Sequence, residues 1–494
     1  MPLFIYHIDL NFRNLREEEI KRRLHAASEL GCNAVLWEPE NKVVWDSCPE
    51  CAEPEAMSKE TFAGLIEYGR NLGLEPIPLL QTLGHAEYVL LQSPCHDLRE
   101  LPESYDCYCP SHPGVRQLLR NWIDEYCELF GPIRYFHLGG DEAYFFHRCP
   151  LCSARPPLEL YNEYFNELAT GLRERGIRPS VWGDMLWKYA GSIDELDRDF
   201  VIWDWNYRDG CGNPDRILWI DGKEYTVDTV NRSEADALCP GLIEPNGKFR
   251  SFFSAEFFRN RGFEVILCGT AASAIDGFFI PHQLRHADNL VGAARAARQR
   301  GYAGCCITNW SIRLVSAPWT MAAAQACARA FHGDARPVEA LLDEVSGQLF
   351  GDPGVWRTLD RLAAAGNSRW RLFTAIQHTG FKDQLPAPPD LFERQLREPD
   401  CPQLSAAEIA ESVSGAALLK TQFGSARIVE GAALQRDFLA LLAQRLDGKI
   451  PDTESFRQKL LEYWDAEEKP RNARLNAFLM LQLIGNCNDS SLVL

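Results

Sequence analysis

Residues 115–142 show the alternation on which the fold prediction rests. A helical pattern covers Val115–Phe130, Gly131 follows it, and an apolar run over Tyr135–Leu138 leads into Gly139-Gly140-Asp141-Glu142. Glycine just past the last periodic residue is a common helix C-cap signal. A continuous apolar run after a helix is typical of a strand buried in a parallel sheet. The segment is therefore predicted to form a helix followed by a buried strand.

The same alternation extends outward from residue 3 to about residue 310. Other helical patterns include Leu15–Leu30, Lys59–Leu72 and Leu158–Arg175. Further apolar runs are predicted as strands: Leu3–Ile8, Ala34–Trp37, Glu75–Leu80, Pro179–Trp182, Phe200–Trp203, Glu264–Cys268 and Gly304–Thr308. With Tyr135–Leu138 they make eight, which predicts an α/β fold of the (β/α)8 TIM barrel type. Active sites in this fold lie at the C-terminal ends of the strands.

Two domains are predicted along the 494 residues. Residues 1–335 form the barrel, with an insertion near 210–258 that is too long for a plain connection and contains a hairpin over Ile217–Val227. Residues 336–494 are rich in Ala, Leu, Arg and Glu, which predicts a mostly α-helical C-terminal domain. The length fits one large barrel followed by a smaller domain.

Composition excludes several classes of protein. With 46% hydrophobic and 24% charged residues the chain is neither disordered nor fibrous. A net charge of −18 argues against nucleic acid or an anionic membrane surface as partner. No run approaches the ~18 apolar residues of a membrane span, and the N-terminus lacks a signal-peptide pattern. An odd number of cysteines, 17, favours a reducing compartment, so we expect a cytoplasmic protein.

The chemistry of the chain is indicated by Asp141 and Glu142, adjacent carboxylates at a strand end. Taken alone, the pair could start a helix, with Asp141 as N-cap and Glu142 in the first turn. Several tryptophans fall at or just past strand ends: Trp37, Trp182, Trp203, Trp205 and Trp310. A single tryptophan is usually a packing residue, whereas five at one face indicate a stacking pocket for a sugar ring.

The sequence His137-Leu138-Gly139-Gly140-Asp141-Glu142 resembles the His-x-Gly-Gly-Asp-Glu signature of glycoside hydrolase family 20, the β-N-acetylhexosaminidases. Other segments resemble family motifs after the third, fifth, sixth and eighth strands: Gln81-Thr82-Leu83-Gly84-His85, Trp182-Gly183-Asp184-Met185, Trp203-Asp204-Trp205 and Thr308-Asn309-Trp310. The resemblance covers roughly residues 1–330. It is strongest to the intracellular, hexosaminidase D-like branch of the family.

This resemblance implies a retaining exo-enzyme that releases terminal β-linked GlcNAc or GalNAc from a glycan or glycoside. An ordinary retaining glycosidase places its two carboxyl groups about 5–5.5 Å apart across the bond, and this family instead uses the acetamido oxygen of the substrate as nucleophile. By resemblance, Glu142 is the acid/base and Asp141 orients and stabilises the acetamido group. Two close carboxylates also help to raise one pKa, as an acid near neutrality requires. The resemblance also implies that catalysis needs no cofactor. It leaves open whether the protein is a homodimer.

The resemblance also supplies candidate substrate-binding residues, each with a plain structural alternative. Asp184 and Tyr207 are candidates to bond the acetamido group or a sugar hydroxyl, and His85 is a candidate member of the carboxylate network. Four tryptophans are expected to wall the acetamido pocket and the sugar face: Trp182, Trp203, Trp205 and Trp310. The alternatives are a satisfied barrel histidine, core tryptophans, a capping aspartate and a surface tyrosine.

Two departures from the family leave the choice of sugar open. The arginine that follows the first strand of the secreted enzymes has no clear counterpart, and Asp9 and Arg13 are the nearest polar residues. Ile312 and Arg313 stand where those enzymes have a glutamate after the last tryptophan.

Two Cys-x-x-Cys pairs follow the second and fourth predicted strands. Cys48 and Cys51 form one pair, and Cys149 and Cys152 form the other. Each pair can supply two corners of a tetrahedral zinc site, so we expect a closed structural zinc ion that fixes the loop after Glu142. The alternatives are reduced thiols or redox pairs without metal, with Cys107, Cys109 and His147 as alternate ligands.

Two other classes of function compete with a glycosidase. A catalytically inactive carbohydrate-binding barrel would not need the proton donor that the intact Asp141–Glu142 pair supplies. A metal-dependent hydrolase would show paired histidines with carboxylates and an open metal position, and that signature is missing.

Overall fold

The computed structural model describes residues 2–11, 13–273, 276, 279–310, 317–367, 406–423, 427–447 and 449–484. All eight predicted barrel strands are present, with ends shifted by up to four residues. In chain order the strands are β1 Leu3–Asp9, β2 Ala34–Glu38, β3 Glu75–Pro78, β4 Tyr135–His137, β5 Arg178–Trp182, β6 Val201–Trp205, β7 Arg216–Leu218, β8 Glu224–Thr226, β9 Glu264–Ala272 and β10 Gly304–Asn309.

Eight of these strands form one parallel sheet in the order β3-β2-β1-β10-β9-β6-β5-β4. The two edge strands meet through a parallel bridge between Leu79 and His137. There the backbone N–H of Leu80 donates to the carbonyl of His137 at 3.0 Å. The sheet is therefore closed into the predicted TIM barrel.

The strands are apolar on both faces because both faces are covered. All seven residues of β1 are buried. Leu3 and Ile5 point into the barrel interior, while Phe4, Tyr6 and Ile8 pack in the layer between sheet and helices. This double burial explains why the strands read as continuous apolar runs rather than alternating ones.

Helices follow the strands and continue through the C-terminal region. They are α1 Glu17–Glu29, α2 Lys59–Asn71, α3 Glu87–Leu90, α4 Pro113–Phe130, α5 Pro150–Ser153, α6 Pro157–Leu168, α7 Thr170–Glu174, α8 Asp184–Lys188, α9 Arg232–Leu238, α10 Phe253–Asn260, α11 Gln283–Arg300, α12 Met321–Phe331, α13 Val338–Phe350, α14 Val355–Asn367, α15 Ala406–Phe423, α16 Arg427–Leu446, α17 Glu454–Asp465 and α18 Pro470–Leu483. Within the described residues, no helix is long and apolar enough to cross a bilayer.

The insertion between β6 and β9 contains the predicted hairpin. Strands β7 and β8 pair antiparallel, with Ile217 opposite Tyr225. Gly222 sits in the turn at φ 77°, a conformation that glycine adopts without strain.

The C-terminal helices pack against the barrel. Phe279 and Trp319 of the barrel share a buried core with residues of α14 to α18. Helix α13 joins the core of the barrel itself through Leu341, Leu342 and Val345. The helical character of the region agrees with the prediction, and the boundary between residues 335 and 336 stays a prediction.

Candidate active site

A cavity of about 1100 Å³ opens at the C-terminal ends of the strands. Its floor includes Asp9, the last residue of β1, Asp204, the residue before the last of β6, and Asp141 from the turn after β4. Its rim includes Tyr105 from the loop after β3 and Ile217 from the β7–β8 hairpin. The cavity therefore lies where the barrel fold predicts an active site.

The turn after β4 carries Asp141 and Glu142 onto the cavity floor. Nδ1 of His137 accepts a hydrogen bond of 3.0 Å from the backbone N–H of Gly139. Gly140 has φ 91°, and a Cβ atom there would lie 2.6 Å from Cζ of Phe165, so no other residue fits. Residues 141–143 are not helical. Asp141 and Glu142 therefore do not start a helix, which removes that alternative.

His85 links the two carboxylates. Its Nε2 atom lies 3.5 Å from Oδ2 of Asp141 and 3.5 Å from Oε2 of Glu142. Burial disfavours the charged imidazole, yet the two carboxylates outweigh it and raise the pKa of His85 well above the usual value. His85 has φ 54°, an uncommon conformation for a residue with a side chain. The predicted role of His85 in a carboxylate network thus has the required geometry.

Glu142 is held from three sides. Its backbone N–H donates to Oδ2 of Asp184 at 3.0 Å, and the hydroxyl of Tyr144 donates to its Oε1 atom at 2.7 Å. Burial raises the pKa of Glu142, but His85 and Tyr144 outweigh burial, and the pKa is lowered overall. The expectation that the adjacent carboxylates raise the pKa of the acid is therefore wrong for the free protein, because the contact with His85 dominates.

Asp141 and Asp184 each present an unsatisfied oxygen. Oδ1 of Asp141 and Oδ1 of Asp184 are buried, and neither has a hydrogen-bond partner in the described part of the chain. Burial, with the charge of Asp141, raises the pKa of Asp184 to about 8. The raised pKa favours the protonated form of Asp184, which can donate a hydrogen bond. A buried unpaired acceptor is costly unless a ligand supplies a donor.

Only part of the expected aromatic wall faces the cavity. Trp205, Tyr207 and Trp310 line it, and Nε1 of Trp310 donates to the hydroxyl of Tyr207 at 2.8 Å. Trp182 and Trp203 are fully buried in the barrel interior and do not line the cavity. This corrects the expectation for these two residues, which lie one layer below the floor.

Trp37 is also a packing residue. It is buried in the layer between the sheet and the helices, where its ring meets that of Phe62 edge-on at 5.3 Å. The five tryptophans at strand ends therefore do not form one pocket. Two of them face the cavity and three belong to the core.

Two further carboxyl groups of the cavity, those of Glu38 and Asp204, were not predicted from the sequence. Oε1 of Glu38 accepts a hydrogen bond of 2.6 Å from Nε2 of Gln81, and Oε2 lies 3.0 Å from Nε2 of His7. Burial raises the pKa of Glu38 to about 7, and burial likewise raises that of Asp204 to about 7. Their signal in the sequence was position, since each lies in the last residues of a buried strand.

The structure shows whether Arg13 can stand in for the arginine that follows the first strand of the secreted enzymes. Arg13 is buried and pairs with Glu467 and Glu468, so it does not face the cavity. Arg285 of α11 does line the cavity. Ile312 and Arg313 lie outside the described residues.

The two Cys-x-x-Cys pairs do not meet in one four-cysteine site. The ligand atoms of Cys149 and Cys152 gather with those of Cys109 and Glu100, all within 4.8 Å of one another. Cys48 contacts Cys51 and Cys95 instead. The predicted ligand set of Cys48, Cys51, Cys149 and Cys152 is therefore wrong, because the intervening loop after β3 supplies the partners of the second pair.

Comparison with known proteins agrees with this site. Residues 36–214 match the model described as glycosyl hydrolase family 20, catalytic domain. Hexosaminidase D of Bos taurus is 27% identical over 166 residues, which are 32% of this chain and 48% of that protein. Hexosaminidase D of Homo sapiens is 26% identical over 192 residues, 37% of this chain and 39% of that protein. The matches thus span less than half of these relatives.

A solved β-N-acetylhexosaminidase from Bacteroides fragilis NCTC 9343 shares the fold. It superposes with a TM-score of 0.51 at 18% identity, over 71% of this chain and 70% of that one. A closed barrel with two adjacent carboxylates in the cavity at the C-terminal ends of its strands has the arrangement expected of a barrel enzyme. Residues 36–214 therefore match the catalytic domain of glycosyl hydrolase family 20, and part of the chain is similar to hexosaminidase D.

Proposed function

We propose that this protein is an exo-β-N-acetylhexosaminidase that releases terminal β-linked GlcNAc or GalNAc from a glycan or glycoside. The observation that carries the proposal is the unpaired, buried Oδ1 atom of Asp141 next to Glu142 on the cavity floor. The N–H of a 2-acetamido group is a donor that would satisfy this acceptor. The family match supports the same reading.

The proposed reaction retains configuration and uses the substrate as its own nucleophile. Glu142 protonates the glycosidic oxygen while the acetamido carbonyl oxygen attacks the anomeric carbon, which gives an oxazolinium intermediate and a free alcohol. Asp141 holds the acetamido N–H and stabilises the positive charge. Glu142, now ionised, takes a proton from water as the water opens the intermediate. Adjacent carboxylates suit this mechanism, because no second carboxylate has to reach the opposite face of the sugar.

Glu142 must carry a proton when the substrate is bound. In the free protein its pKa is lowered, but its side chain is still about one-third exposed, at 36%. A sugar that covers this carboxyl removes water from it and raises its pKa. In the proposed reaction, substrate binding therefore favours protonation of Glu142.

The other walls of the cavity can accommodate a sugar ring and the aglycone attached to it. Trp310 and Trp205 offer flat faces, and Asp184 adds a donor near the acetamido position. Arg285 and Asp9 are the candidates for the sugar hydroxyls, although the sequence motifs single out neither as such. The β7–β8 hairpin closes the outer side through Ile217. We propose that this outer part holds the aglycone.

Hydrolysis of three nitrophenyl glycosides and of chitobiose tests the function. Wild type should hydrolyse 4-nitrophenyl β-GlcNAc or β-GalNAc and leave the β-glucoside intact. Asp141→Asn and Glu142→Gln should lower kcat by about 10²–10⁴-fold. The loss in Glu142→Gln should be larger for chitobiose, because nitrophenolate departs without a proton and a sugar alcohol does not.

Glu128→Gln, an exposed glutamate on α4, is the matched control and should keep full activity. Equal hydrolysis of the glucoside would contradict acetamido assistance. A wild type that binds N-acetyl sugars and hydrolyses none of the substrates would establish the carbohydrate-binding alternative. A cytoplasmic location and a homodimer remain part of the proposal, to be tested by fractionation and by light scattering.

A further inference from the structure

We propose that Glu100, Cys109, Cys149 and Cys152 bind a structural zinc ion. All four side chains are buried, and their ligand atoms lie within 4.8 Å of one another. The site lies beside the catalytic cavity but shares no lining residue with it. It draws on the loop after β3 for two ligands and on the segment around α5 for the other two.

The sulfur positions match a tetrahedral zinc site. Sγ of Cys109 lies 3.7 Å from Sγ of Cys149 and 3.7 Å from Sγ of Cys152. Zinc bonds to thiolate of about 2.3 Å at tetrahedral angles place two sulfurs about 3.8 Å apart. Two of the three sulfur–sulfur separations therefore already match a shared ion, and the third is no more than 4.8 Å.

Glu100 is oriented to complete the site with one oxygen. Its Oε1 atom accepts the backbone N–H groups of Arg148 at 2.7 Å and Cys149 at 2.8 Å. Its Oε2 atom stays on the side of the sulfurs, 3.2 Å from Sγ of Cys152. Backbone bonds thus fix the carboxylate as a monodentate ligand, in the way that outer contacts orient the ligands of metal sites.

The surroundings of the sulfurs fit bound thiolates. The backbone N–H of Cys152 donates to Sγ of Cys149 at 3.3 Å, and Oγ of Ser111 lies 3.1 Å from Sγ of Cys152. Both contacts can donate to a negatively charged sulfur. Three soft thiolates favour zinc over the hard cations magnesium and calcium, and four protein ligands leave no open position. The ion would therefore be structural.

The site would fix two walls of the cavity. Residues 103–106 lie between Glu100 and Cys109, and residues 142–145 lie between Asp141 and Cys149. Both segments line the cavity, and the second begins with Glu142. One ion would tie these two loops together and hold the rim in place. This consequence rests on the proposed function, whereas metal binding does not.

Metal analysis of the purified protein tests the site. After growth with zinc and dialysis, wild type should contain about one zinc per chain. Cys152→Ser should lose most of this zinc, and Glu100→Gln, a milder change, should lower the affinity by about 10–100-fold in a chelator competition. Cobalt substituted into wild type should give the charge-transfer absorption of a thiolate site.

Cys51→Ser is the matched control, because it alters the other Cys-x-x-Cys pair and should keep the zinc. Wild type without zinc, or zinc that Cys51→Ser removes and Cys152→Ser retains, would overturn the proposal. If Cys152→Ser does not fold, Glu100→Gln and the wild-type stoichiometry decide. A protein that holds zinc at this site but hydrolyses no N-acetyl sugar would contradict the proposed function alone.

Discussion

The Nε2 atom of His85 lies 3.5 Å from Oε2 of Glu142. The same nitrogen is equally close to Asp141, so one imidazole serves two carboxylates that are neighbours in sequence. The arrangement raises the pKa of His85 and lowers that of Glu142. In the proposed reaction, the charge of the histidine would therefore influence the pH range in which Glu142 acts as an acid.

Replacing His85 should shift the pH profile of the reaction. In His85→Asn the positive charge is gone, so the pKa of Glu142 should rise. The alkaline limb of kcat/KM, which reports loss of the proton from Glu142 in the free enzyme, should move to higher pH. We also expect kcat to fall by about 10–100-fold, because the carboxylates lose a shared contact. Steady-state kinetics over the pH range measure both effects.

His25→Asn is the control for this change, since His25 contacts Tyr68 on the outer face of the barrel. It should leave the profile unchanged. An alkaline limb that stays in place in His85→Asn would mean that His85 does not set the pKa of Glu142.

Gly84→Ala should damage the site through the backbone. A Cβ atom at Gly84 would lie 2.3 Å from the carbonyl oxygen of Asp141. This oxygen belongs to the backbone, so it cannot move aside as the end of a flexible side chain could. The loop after β3 and the turn after β4 would have to separate. We expect a loss of about 1–3 kcal/mol in the free energy of unfolding and about 10²-fold in kcat/KM. Urea denaturation and initial rates measure the two effects.

Gly64→Ala provides the comparison, because its Cβ would meet nothing within 4 Å on α2. This change should leave activity intact and stabilise the helix slightly. Equal effects of the two substitutions would mean that the close approach at Gly84 is not what positions Asp141.

The sequence was sufficient to predict the barrel and to place Asp141 and Glu142 at its mouth, and insufficient to predict the depth of individual side chains. Asp141 and Glu142 follow an apolar strand directly, so the fold rule places them at the mouth. Trp203 and Trp205 share the inward face of β6, two positions apart, and only the second reaches the cavity. Periodicity gives the face of a strand but not the layer inside the barrel.

The cysteines show a second limit of prediction from the sequence, which concerns the ligands of the proposed metal site. Spacing correctly paired Cys149 with Cys152, because that pair is local. The remaining ligands, Glu100 and Cys109, come from a loop whose path depends on tertiary packing. Nothing in a Cys-x-x-Cys motif distinguishes Cys109 from Cys48 as a distant partner.

Asp204→Asn should change how stability depends on pH. Burial raises the pKa of Asp204 from 3.8 to about 7, so the folded protein binds more protons than the unfolded chain between these values. Its contribution to stability is present below about pH 4 and is lost as the pH rises to about 7. The full shift corresponds to roughly 4 kcal/mol. Asn cannot ionise, so the variant should lose less stability than wild type between about pH 4.5 and about pH 8.

Denaturant unfolding at the two pH values measures this difference. Asp221→Asn on the exposed hairpin is the control, and it should follow wild type within error. Parallel pH dependence in Asp204→Asn and wild type would show that Asp204 is not protonated in the folded state near neutral pH.

Arg13→Met should destabilise the contact between the barrel and the C-terminal helices. Arg13 is buried, with its Nε atom 2.7 Å from Glu468 and its Nη2 atom 2.8 Å from Glu467. Glu467 keeps the cation of Arg427 as a partner in the variant, at 2.7 Å, whereas Glu468 keeps the uncharged amide of Asn476. A buried carboxylate without its cation costs about 3–5 kcal/mol.

The loss should be larger at high pH than at low pH. Burial already raises the pKa of Glu468 in spite of Arg13, and removing the cation raises it further. Near pH 5 the orphaned carboxyl can take up a proton and avoid the charge penalty, whereas near pH 8 it cannot. Arg16→Met is the matched control: Arg16 pairs with Asp465 at the surface, and an exposed pair is worth only about 0–1 kcal/mol. Equal destabilisation by the two substitutions, at both pH values, would show that the buried pairs of Arg13 do not hold the helical region to the barrel.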